Sequence, residues 1–124
     1  MRPRRHVVTA LVVVVALGAA VSIAESRPHR PPKIYPMPTA TYHQNTGTVA
    51  FDVEVGRRPR RVIVFHGGHR LPAKRVPHLQ RWWETHDTPA TKKRCYHIRV
   101  KARNRFGRSE RRLRAGRIGS QGCR

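Results

Sequence analysis

The sequence predicts an all-β domain in which two antiparallel sheets pack as a sandwich, and three observations carry that reading. Apolar residues recur at every second position in two separate stretches, residues 48–55 and 96–103. That is the period of a strand with one buried face. Turn signals such as Gly67-Gly68 separate the short apolar runs, as they do in all-β domains. Setting aside the first 24 residues leaves 100 of the 124, the size of one sandwich domain.

The first 24 residues are set aside because they have the three parts of a secretory signal peptide. Arg2, Arg4 and Arg5 form a positive start, residues 7–20 are almost wholly apolar, and Ser22-Ile23-Ala24 supplies the small residues a signal peptidase needs. The alternative is an uncleaved anchor, since the apolar stretch approaches the length that spans a bilayer. Residues 25–38 hold five prolines among scattered basic residues and are read as an extended leader. Residues 39–124 are then the folded domain. Its expected location is extracellular or in the cell envelope, as a monomer with no transmembrane segment once the signal is removed.

Along the domain, residues 34–41 are read as an edge strand. In residues 48–55, Val49, Phe51, Val53 and Val55 share one face while Ala50, Asp52 and Glu54 share the other. A basic turn with Arg57, Arg58, Arg60 and Arg61 leads into Val62-Ile63-Val64-Phe65. This continuous apolar run fits a strand buried on both faces. Gly67-Gly68 is read as a two-residue hairpin connection, which needs positive φ angles. Residues 72–91 are interrupted by Pro72, Pro77 and Pro89, with Leu79, Trp82 and Trp83 as their strong apolar anchors. A short strand or a single helical turn around Trp82 is expected there, between loops. On a strand, one of Trp82 and Trp83 points inward and the other outward. Tyr96, Ile98, Val100 and Ala102 then alternate with His97, Arg99, Lys101 and Arg103, so one face is core and the other cationic. After a turn at residues 104–107, residues 109–118 return as the last strand.

The run from Cys95-Tyr96 through Ala102, Asn104, Gly107 and Ser109 resembles the F strand, FG loop and G-strand start of fibronectin type III domains. The resemblance implies the strand order of that sandwich and puts strands C, F and G in one sheet. It covers residues 95–109. The sequence departs from the family in having Phe51 in place of the B-strand tryptophan, and in its two cysteines.

Cys95 and Cys123 are the only cysteines. In an exported chain they are read as one disulfide, the alternative being two free thiols. Cys95 opens the outgoing strand and Cys123 follows the returning one, which puts both at one end of a hairpin.

Charge is the strongest functional signal. Three of the 27 Lys and Arg lie in the signal, while all six acidic residues follow it. Twenty-four bases against six acids give a formal charge of +18, which favours polyanion binding. The excess of arginine over lysine fits bidentate anion contacts or, alternatively, a G+C-rich genome. Arg57, Arg58, Arg60, Arg61, Arg99, Lys101, Arg103, Arg105 and Arg108 are the candidate polyanion-binding residues. If strands C, F and G share a sheet, they merge into one cationic surface. The expected role is a non-enzymatic binding or structural module for an anionic polymer or an acidic protein. The alternative is a cationic antimicrobial or non-specific nucleic-acid-binding protein. The run from Val62 to the His66-Gly67-Gly68 turn is similar to the oxyanion-hole strand of α/β-hydrolase esterases, but the Gly-x-Ser-x-Gly elbow of that fold is absent. The histidines have irregular spacing, so neither a metal site nor a cofactor is expected. The exported protein is expected to begin at Glu25, and its intact mass checks this: retention of residues 1–24 in secreted material selects the anchor reading instead.

Overall fold

The computed structural model describes residues 29–123, and the expected signal peptide lies outside them. Nine strands follow in chain order: β1 (Lys33–Ile34), β2 (Thr39–His43), β3 (Thr48–Gly56), β4 (Arg61–His66), β5 (His69–Arg75), β6 (Trp82–Thr85), β7 (Thr88–Pro89), β8 (Cys95–Asn104) and β9 (Gly107–Arg117). No helix among the described residues is long and apolar enough to cross a membrane.

The fold is all-β, but it is not the expected two-sheet sandwich. Seven strands form a closed barrel in the order β3-β2-β9-β8-β4-β5-β6, with β6 pairing back onto β3. The short strands β1 and β7 add onto β3. Two pairings join what would have been separate sheets. The first is parallel, with Thr39 opposite Gly116 and Ala40 opposite Arg117. The second is antiparallel, joining residues 73–75 of β5 to residues 83–85 of β6. A sandwich leaves such edges unpaired, whereas closure satisfies their backbone groups. Alternating inward and outward side chains serve both architectures equally. The sequence pattern therefore does not distinguish them.

Inside the barrel the alternation is realised as read. Val49, Phe51, Val53 and Val55 of β3 meet Val62 and Val64 of β4 and Tyr96, Ile98, Val100 and Ala102 of β8 in one apolar cluster. Ile63 is buried as well, although it lies on the opposite face of β4 from Val62 and Val64. Gly67 and Gly68 have φ of 53° and 81°, which makes the β4–β5 connection a two-residue turn with both residues left-handed. β5 continues through Pro72, where the proline had suggested a loop. His66 and His69 flank the turn and exchange both ladder bonds, so Ile63 and Pro72, three pairs along, fall at a pair without them. The missing N–H of Pro72 costs no bond to β4. Around Trp82 the chain forms a strand rather than a helical turn. Trp83 enters the core and Trp82 is half-buried.

The proline-rich segment is built into one end of the barrel. Ile34 is buried in the core. The carbonyls of Arg30, Pro31, Pro32 and Ile34 accept hydrogen bonds from Asn104, Arg57, Ser109 and Arg111 respectively. At the other end Cys95 and Cys123 form a disulfide. Gly116 permits the chain to fold back there, because a Cβ on it would lie 3.2 Å from the Gly122 Cα. The crosslink spans 28 residues and limits the unfolded chain by roughly 3 to 4 kcal/mol in the loop-entropy picture.

Tyr96 ties this end together. Its hydroxyl donates to the Thr91 carbonyl at 2.9 Å and accepts from the Lys93 N–H at 3.0 Å. Its ring meets Phe51 edge-on at 5.8 Å. Tyr96→Phe should lose roughly 1 to 2 kcal/mol with the two hydrogen bonds, and Tyr96→Ala roughly 3 to 5 kcal/mol with the ring. Denaturant midpoints check the order; equal midpoints for wild type and Tyr96→Ala would show that the inward register of β8 is wrong.

Candidate functional site

The outer face of β5, β4, β8 and β9 is the cationic surface, and strand register assembles it. Since Tyr96, Ile98, Val100 and Ala102 point inward, the residues between them point outward. Their partners on the neighbouring strands do the same. One row across the sheet is Arg61, Arg103 and Arg108. The next is Ile63, Lys101 and Glu110. A third is Arg70, Phe65, Arg99 and Arg112, and His97 lies opposite Arg114 beyond it. Glu110 is the acid of this face, and it binds the Arg99 guanidinium at 2.8 Å.

Two features make the face more than a solvated surface. Asn104 and Gly107 flank a two-residue turn and exchange both ladder bonds. Arg103 with Arg108, and Arg99 with Arg112, therefore fall at the closely spaced non-hydrogen-bonded pairs, with Cα atoms about 4.5 Å apart. Like charges directly opposite are destabilising. The second feature is Phe65, which is half-buried beneath the charges. The Arg99 guanidinium lies 4.5 Å and the Lys101 ammonium 5.5 Å from its ring centroid. These cation–π contacts hold both heads against the sheet. Toward the Gly67-Gly68 turn the surface deepens into a shallow groove lined by Phe65, His66, His97, Arg99, Arg112 and Arg114. The His66 ring lies against Phe51 and Tyr96 there, with Nδ1 3.1 Å from the His97 carbonyl oxygen.

Of the nine candidate basic residues, Arg61, Arg99, Lys101, Arg103 and Arg108 share this face. Arg60 lies at its margin, where its N–H bonds the Arg103 carbonyl. Arg105 lies in the β8–β9 turn with its guanidinium over Phe106. Arg57 and Arg58 turn away and line a separate pocket at the barrel end. Arg70, Arg112 and Arg114 join the face. The Gly67-Gly68 hairpin already sets Arg70 opposite Phe65, and Arg112 and Arg114 alternate with Leu113 along the last strand, so all three positions carry a sequence signal.

Three of the five acids among the described residues gather on the opposite side of the barrel. Asp52 and Glu54 on β3 face outward next to Glu84 on β6, and Asp52 is directly opposite Glu84. Arg81 pairs with Glu54 at 3.3 Å. Burial, and secondly the Glu84 charge, hold the Asp52 carboxyl above its usual 3.8. Among the described residues no three His, Cys, Asp or Glu side chains come together as a metal site would require.

No family model matches the chain, and neither a curated protein nor a solved structure is significantly similar to it.

Asp52 yields a pH prediction. Its folded-state value is raised, so the folded protein holds the proton more firmly than the unfolded chain. Its ionisation therefore destabilises the fold at neutral pH, and that penalty disappears as pH falls through the raised value toward 3.8. Asp52→Asn should be more stable than wild type at pH 7, with the difference shrinking as pH falls through the raised value and gone below about pH 4. Urea midpoints for the two proteins across pH 3 to 8 measure it; a constant difference would show that Asp52 is not strained by burial and Glu84.

Proposed function

We propose that the protein is an exported, non-enzymatic binding module that holds an anionic polymer against the outer face of β5, β4, β8 and β9. The observation carrying this reading is the set of closely opposed arginine pairs, Arg103 with Arg108 and Arg99 with Arg112, on a face that has Glu110 as its acid. A fold that brings like charges together gains stability when an anion neutralises them. Rows of cations about 4.8 Å apart across the strands offer a regular array to a chain of repeating negative charge. The disulfide is compatible with an extracellular location. Charge and spacing on this scale read a polyanion's backbone rather than any sequence in it.

Arg99→Glu, Lys101→Glu and Arg103→Glu together should weaken heparin binding on the order of 100-fold or more near physiological salt, with a shallower dependence on salt concentration. The comparison is Lys92→Glu, Lys93→Glu and Arg94→Glu, an equal change of charge in the exposed segment before β8. Its effect should be several-fold at most. Equal losses in the two variants, or permeabilisation of anionic vesicles by wild type, would favour a cationic protein whose bulk charge is its activity.

A further inference from the structure

At the barrel end that carries the β3–β4 loop, four arginines surround a pocket that the cationic face does not include. Arg57 and Arg58 enter from the β3–β4 loop, Arg75 from the end of β5 and Arg81 from the segment before β6. The floor is apolar, formed by Val55, which is fully buried, and by Trp83, which is 7% exposed. Far apart in sequence, these residues meet because β3 pairs with β6 across the barrel closure.

The pocket is held in shape by its own contacts. The Arg57 guanidinium donates to the Pro31 carbonyl and the Asn104 amide donates to the Arg57 carbonyl. The Val55 N–H donates to the Arg81 carbonyl at 2.7 Å, strapping the β5–β6 connection onto β3. Arg81 is fixed further by the Tyr35 hydroxyl at 3.1 Å and by Glu54 at 3.3 Å. Glu54 is the carboxylate paired with this cluster, leaving four guanidinium charges against one. Arg57, Arg58 and Arg81 also have positive φ angles of 65°, 50° and 73°. Such backbone disfavours residues with a Cβ, and here arginine stands where glycine or asparagine would fit more easily.

We propose that this pocket is a discrete binding site for a doubly charged tetrahedral oxyanion, a phosphate or sulfate group. Guanidinium forks bind the oxygens of such a group in pairs, and the net excess of three positive charges favours a dianion over a monoanion. The apolar floor excludes water beneath the group and strengthens its contacts. The site is separate from the polymer-binding face and does not depend on it. One pocket binds one anion and should saturate, whereas the open face binds extended charge and weakens steeply with salt.

The test uses inorganic phosphate and inorganic sulfate as probes at fixed ionic strength, with Trp82→Phe as background so that Trp83 at the floor is the reporter. Both probes should change Trp83 emission saturably and with one-to-one stoichiometry. Acetate and chloride at matched ionic strength should not. Arg58→Gln with Arg75→Gln should weaken phosphate at least tenfold, while the Arg99→Glu, Lys101→Glu, Arg103→Glu protein should bind phosphate as tightly as wild type. Arg58→Lys with Arg75→Lys preserves charge and serves if the glutamine pair fails to fold; loss of the forks should still weaken phosphate several-fold. A non-saturable response, an equal response to chloride, or equal loss in the face variant would overturn the proposal. Heparin binding that fails with intact phosphate binding would count against the polymer-binding face alone.

Discussion

The pairing register of β8 with β9 is the constraint on which the core, the cationic face and the disulfide all depend. A strand has a side-chain period of two, so a slip by one residue would send Tyr96, Ile98 and Val100 into solvent and drive Arg99, Lys101 and Arg103 into the barrel. Burying three charged heads without partners is prohibitive. Two devices hold the register from opposite ends: the two-residue turn at Arg105 and Phe106, and the Cys95–Cys123 bond. Asn104 reinforces the first, because its side-chain oxygen accepts the Phe106 N–H while its amide reaches Arg30 and Arg57. Every outward arginine on these strands inherits its position from that hairpin.

The barrel carries its charge unevenly. Asp52, Glu54 and Glu84 lie around the β3–β6 pairing, while the basic rows cross β4, β8 and β9, about half-way round the closed order. The excess of bases across β4, β8 and β9 leaves self-repulsion that the Arg99–Glu110 pair offsets only in part, and a small core of valines, Phe51 and Tyr96 must carry the rest. Partial relief comes from within the sheet. Phe65 accepts Arg99 and Lys101 on its ring, and Ile63 is covered although it faces outward. An aromatic in the middle of a cationic face thus contributes to the fold while it arranges the charges around it. In the proposed function, external anions supply the remaining compensation by mass action.

The two surfaces proposed to bind anions differ in physical kind. The sheet face is open and regular, and its charges are screened by salt. The barrel-end pocket is concave, has an apolar floor and is braced by Tyr35, Glu54 and backbone bonds. A long polymer suits the first and a compact charged group the second.

Much of this was legible in the chain. Alternation at residues 48–55 and 96–103 determined which side chains enter the core, because neighbouring residues on a strand must face opposite ways. Gly67-Gly68 determined a hairpin, and two cysteines in a chain read as exported pointed to their bond. The strand through Pro72 was not legible, since a proline is harmless only at a pair without ladder bonds, and that depends on the partner. Nor was closure. Inward and outward alternation is identical in a sandwich and a barrel, and what joins the edges is the contact of Thr39 with Gly116 and of Arg75 with Trp83, residues brought together only by folding. The same separation hid the grouping of Arg57 and Arg58 with Arg75 and Arg81, and the gathering of acids on the far side. Local periodicity is written into neighbouring residues; long-range pairing and the charge patterns built on it are decided when distant strands meet.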